Sequence, residues 1–138
     1  MRNFFNLFRR IRSFDTVTLH TSGMRHVTDY EMVMKEDQVE VTQYEVGFPE
    51  GEEVRVPLKS SVCSANRALK LLNRCQVLSW DGFVGKHPKG IKDGTRFNFN
   101  ATVNGGIKIY ANGSQNFPPH YRKLKDGINE ILRESEEM

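Results

Sequence analysis

The sequence predicts an α+β fold: an antiparallel sheet of about five to six strands, two helices packed on one of its faces, and a short amphipathic helix ahead of them. Three observations carry this expectation. Residues 14–58 alternate apolar and polar side chains in successive short runs, the period of half-buried strands. Helical spacing returns only twice in the body of the chain, over 60–75 and from Pro119 onward. Between those helices, Asn104-Gly105 joins two further alternating runs, as a tight hairpin does. Runs of neighbouring strands followed by amphipathic helices belong to an antiparallel sheet covered on one side.

The strands follow in order. Phe14 to His20 sets Val17 and Leu19 against Thr16, Thr18 and His20. After Ser22-Gly23, Val27 to Met34 places Tyr30, Met32 and Met34 on one face and Asp29, Glu31 and Val33 on the other. Val39 to Val46 alternates again beyond a polar turn, which completes a meander with one face in water. Pro49 and Gly51 mark a loop. Val54, Val56 and Leu58 then read as a fourth strand, with Pro57 placing it at an edge or a strand end.

Ser60 or Ser61 is the expected N-cap of a helix running to about Cys75, with Ala65, Leu69 and Leu72 buried and Arg67, Lys70 and Arg74 on another face. Residues 77–94 are the longest irregular stretch, where binding groups tend to sit. The predicted hairpin pairs Phe97, Phe99, Ala101 and Val103 with Ile107, Ile109 and Ala111. The last helix carries Tyr121, Leu124, Ile128, Ile131 and Leu132 on its apolar stripe. Gly127 costs that helix about 1 kcal/mol relative to alanine, which suggests a close approach to the sheet.

Residues 1–12 form a segment of their own, with one domain expected over 13–138. Phe4, Leu7, Phe8 and Ile11 recur at helical spacing, with Arg9 and Arg10 on the other side. Such a basic amphipathic stretch docks on its own domain, on a protein partner or on an anionic membrane surface, or else stays a frayed tail. These six residues are the candidate partner or membrane contacts.

Composition narrows the function classes. A chain of 138 residues with 38% hydrophobic and 27% charged side chains is globular in make-up, and it is long enough to hold one core without metal or disulfide support. No apolar run is long enough to span a bilayer and none resembles a secretory signal, so a cytoplasmic location is expected. Cys63 and Cys75 both fall in the segment read as one helix. Twelve residues of helix rise about 18 Å, against the roughly 7 Å between Cα atoms that a disulfide tolerates, so they are not expected to pair with each other and read as two part-buried thiols. Charge is uneven: nine acids and one base lie between Asp29 and Glu53, then eight bases and one acid between Arg55 and Lys92. Either these meet across the folded surface or they leave a dipole that steers a partner or drives self-association. The acidic first half and the lack of a docking element argue against nucleic acid.

No phosphate loop, dinucleotide fingerprint, zinc-ligand spacing or nucleophile elbow is present, so no cofactor, metal or catalytic residue is assigned. Two function classes remain. The first is a non-enzymatic binding or interaction module. The second is a small-molecule-binding domain or small enzyme using the 77–94 and 112–118 loops. For the second, Trp80, Asp81, Asp93 and Ser114 are the candidate ligand contacts, because an aromatic ring beside carboxylates and a hydroxyl suits a small-molecule pocket. Each also has an ordinary role: Trp80 as a core plug, and the others as turn residues.

W-D-G-F at 80–83, D-G-x-x-F at 93–97 and G-S-x-x-F-P at 113–118 precede the final amphipathic helix. Over roughly residues 76 to 133 the chain resembles a group of small uncharacterised bacterial proteins and lipoprotein domains typical of gut Clostridia. The resemblance brings no activity with it. The lipobox cysteine of the lipoprotein members is missing here, so a lipid anchor is not expected.

Overall fold

The computed structural model describes residues 10–23, 26–92 and 94–136. Phe4, Leu7, Phe8 and Arg9, and with them most of the expected N-terminal helix, lie outside these residues, as does Asp93. Residues 10–13 are not helical. They run as extended chain into the first strand, held by two asparagines. Asn73 Oδ1 accepts from the Ile11 N–H at 2.8 Å and its Nδ2 donates to the Ile11 carbonyl at 3.0 Å. Asn104 accepts from the Arg12 N–H at 2.7 Å and donates to the Arg10 carbonyl at 3.0 Å. Ile11 is buried in the domain's own core and is therefore not a contact for a partner or a membrane, while Arg10 is exposed.

The α+β class is present, with a larger and mixed sheet. The strands are β1 (Phe14–Ser22), β2 (Val27–Lys35), β3 (Gln38–Gly47), β4 (Val54–Ser64), β5 (Val84–Gly85), β6 (Arg96–Val103) and β7 (Ile107–Ser114). They lie in the order β4-β3-β2-β1-β6-β7-β5. Every pair is antiparallel except β5 with β7, which is parallel. β5 spans only two residues, too short for any alternation to announce it.

The expected boundary between the fourth strand and the first helix moves. β4 runs on through Ser60, Ser61, Val62 and Cys63, because β3 pairs with it as far as Gln38 against Ser64. Helix α1 (Ala65–Arg74) starts only there. Its N-cap is Ser64, whose Oγ accepts from the Arg67 N–H at 3.1 Å. Cys63 thus sits in β4 and Cys75 at the C-cap of α1. Both thiols are free and buried, and burial raises both above the ordinary thiol range, so neither is a ready nucleophile.

Helix α2 (Tyr121–Glu136) follows Pro118-Pro119. Leu124, Ile128, Ile131 and Leu132 pack with Ala68 and Leu72 of α1 against Val17, Leu19, Met32, Val39, Val41, Phe97, Phe99 and Ala101 of the sheet. Arg67 pairs bidentately with Glu134, at 2.8 Å through one arm, which ties α1 to α2 and holds the Glu134 carboxyl below its usual range. Gly127 serves the helix pair rather than the sheet: a Cβ there would lie 2.4 Å from Leu71 Cδ1.

Pairing fixes the side of the sheet left without helices. Thr16, Thr18 and His20 on β1 share that face with Asp29 and Glu31 on β2, with Asn98, Asn100 and Thr102 on β6, and with Lys108, Tyr110 and Asn112 on β7. One face is a core and the other a polar carpet, as the alternation demands.

Candidate functional site

The sequence points to Trp80, Asp81, Asp93 and Ser114 as candidate ligand contacts. Trp80 is a core residue. It is 1% exposed and set edge-on against Phe99 with ring centroids 4.9 Å apart, and its Nε1–H donates to the Pro119 carbonyl at 3.1 Å. With Phe97, Phe117 and Tyr121 it forms the aromatic end of the core. Asp81 accepts from the Tyr110 N–H at 3.0 Å, so its carboxylate stands at the outer edge of β7. Asp93 lies outside the described residues. Ser114 lines a cleft.

That cleft, of about 280 Å³, opens at one end of the uncovered face. It is lined by Ser22, His87, Lys92, Arg96 and Ser114 together with Gly23 and Gly94. Ser22, Arg96 and Ser114 are cross-strand neighbours on β1, β6 and β7. His87 is brought to them by β5. Gly85 pairs with Gly113, and a Cβ on either would fall within about 2.3 Å of the Asn116 carbonyl oxygen, so this approach requires glycine on both strands. His87 Nδ1 then stands 2.8 Å from Ser114 Oγ, and its Nε2 meets the Ile91 carbonyl.

A second polar group lies further along the same face. Asp29 is buried, and a buried carboxylate must find partners. It has His20 Nδ1 on one oxygen and Arg55 Nε at 3.1 Å on the other. Arg55 reaches from β4 across β3, stacks over the Tyr44 ring at 3.8 Å and approaches Glu31 at 3.9 Å. Part of the acidic 29–53 run is thus met by the first base of the run that follows. The arrangement braces the edge strand onto β2. Sequence reading missed it, although a signal existed: the turn that pairs Ser22 with Val27 also pairs His20 with Asp29.

The two edges of the sheet differ. Beside β7, residues 81–85 run close. Gly82 N–H donates to the Tyr110 carbonyl at 2.9 Å and Asn112 N–H to the Phe83 carbonyl at 3.0 Å. β4 forms the opposite edge and, among the described residues, has a strand neighbour on one side only. Along it, Val56 (52%), Leu58 (53%) and Val62 (57%) are exposed, with Val54 and Phe48 beside them. A wider cleft of about 720 Å³ lies at the start of α2, between Thr95, Gln115, His120, Arg122 and Asp126.

Among the described residues no group of three His, Cys, Asp or Glu is placed to hold a metal ion, and no helix is long and apolar enough to cross a membrane. No protein-family model, curated protein or solved structure matches the chain.

Proposed function

We propose that this chain is an interaction module that docks a protein partner on the outer edge of its sheet. The observation that supports the reading is the clustering of Phe48, Val54, Val56, Leu58 and Val62, five of the eight large apolar side chains exposed among the described residues, on β4 and the loop before it. Large apolar side chains left exposed along one edge strand are costly in water and mark contact sites. Docking here is side chain against side chain. Pro57 lacks an N–H, the pairing of β4 with β3 slips at Leu58, and Arg55 and Lys59 place charge along the strand. These devices blunt backbone pairing at an edge. The partner that suits this surface is an apolar protein face rimmed by charge. The same reading takes the chain as a bacterial, cytoplasmic domain of the group its motifs resemble.

Affinity capture with wild-type chain and with Val56→Lys/Leu58→Lys tests this. The two side chains are exposed, so the variant keeps its melting midpoint within a few degrees. The specific partner recovered by wild type is expected to fall at least tenfold. Equal recovery by a folded variant would refute the proposal.

A further inference from the structure

We propose that Ser114 is a nucleophile activated by His87, in a site that takes small esters of anionic acids; the inference is independent of docking at β4. The Ile91 carbonyl can only accept a hydrogen bond, so its contact with His87 Nε2 places the ring proton there. In the neutral ring Nδ1 then carries the lone pair, and 2.8 Å away it faces Ser114 Oγ, which must be the donor. A serine hydroxyl donating to an imidazole whose other nitrogen is pinned is the arrangement of a nucleophile, its base and an orienting group. Here a backbone carbonyl does the orienting. Pro88 and Gly90 (φ 85°) turn the chain so that Ile91 comes back to the ring four residues after it.

Both reacting groups are accessible, since His87 is exposed and Ser114 half-buried. Arg96, the cross-strand partner of Ser114, and Lys92 line the same cleft. They supply positive charge for an anionic acyl group and for the oxyanion that forms during attack. The volume of about 280 Å³ suits a small acyl group.

In the first step Ser114 Oγ bonds to the ester carbonyl carbon as its proton passes to His87 Nδ1. The bond from that carbon to the alcohol oxygen breaks, and the alcohol leaves with the proton from Nδ1. In the second, water bonds to the acyl carbon and gives its proton to Nδ1. The bond to Oγ breaks and Oγ recovers the proton, which frees the acid.

The test is labelling of the full chain by a fluorophosphonate, located by peptide mass mapping. Ser114 is expected to be labelled in wild type and no label to appear at that peptide in Ser114→Ala. Loss of a general base costs roughly 100-fold or more in rate, and His87→Ala should show that loss. His87→Gln should show it too. Its amide can still bond the Ile91 carbonyl but cannot take the proton, so an equal loss there separates base chemistry from collapse of the loop. Absence of label at Ser114 in wild type, or labelling as fast in His87→Gln as in wild type, would overturn the proposal.

Discussion

At the scale of single residues, Tyr121 holds the least comfortable group in the core. Its hydroxyl is buried with no hydrogen-bond partner among the described residues, and burial, aided by nearby Tyr30, holds its ionisation far above the ordinary tyrosine value. A raised folded-state value means that the neutral form is the one the fold accommodates. That contribution is fully present below about pH 10 and is lost as pH rises beyond it. Tyr121→Phe removes an unsatisfied hydroxyl and keeps the ring that stacks on Phe117 at 4.5 Å. It is expected to gain about 1 kcal/mol in denaturant unfolding at neutral pH and to lessen the fall in stability above pH 10. Two glycines make a contrasting pair. Gly113→Ala drives a Cβ to 2.2 Å from a backbone oxygen, which cannot yield without moving the chain, so it should cost about 3 kcal/mol, the upper end of overpacking. In Gly127→Ala the clash is with the tip of the Leu71 side chain, which can turn aside, and about 1 kcal/mol of helix propensity offsets it. Melting midpoints of the two variants should separate clearly.

At the scale of elements, strands with strict alternation were legible from the sequence, and β6 with β7 came through with its turn at Asn104. The start of α1 did not, for a physical reason. Ser60, Ser61 and Ser64 all have N-cap chemistry, and only the length of the neighbouring strand decides among them. Pairing of Gln38 with Ser64 carries β4 to its last residue. Ser64→Ala is therefore expected to lower stability by about 1 kcal/mol, and Ser60→Ala much less. The cap is the only one of these two sites with a side-chain bond to an α1 N–H. The candidate cleft was half legible. Ser114 stands in it, but His87 reaches it through a two-residue parallel strand that no periodicity could reveal. Trp80 reads as a pocket residue because carboxylates and a hydroxyl accompany it, whereas the fold buries the ring and leaves Asp81 and Gly82 outside.

At the scale of the whole molecule, one core joins both helices and the central strands, from Ile11 to Leu132. Trp80→Ala is expected to cost about 3–5 kcal/mol, a large part of the 5–15 kcal/mol typical of a domain, and to lower the midpoint of a single cooperative transition. The charge runs that looked like a dipole are partly tied within the fold, through Arg55 with Asp29 and Glu31. What the molecule leaves to the outside is therefore chemical contrast: a polar sheet face, and an apolar edge at β4.

That edge is tested most directly by a photo-cross-linking residue placed at Val56 and, separately, at Lys108 on the polar face, each introduced into the full chain in cells. Both positions are exposed, so both probes sample whatever is nearby. The docking account predicts a discrete cross-linked product from position 56 and none from 108. Equal products from both, or none from 56, would contradict it.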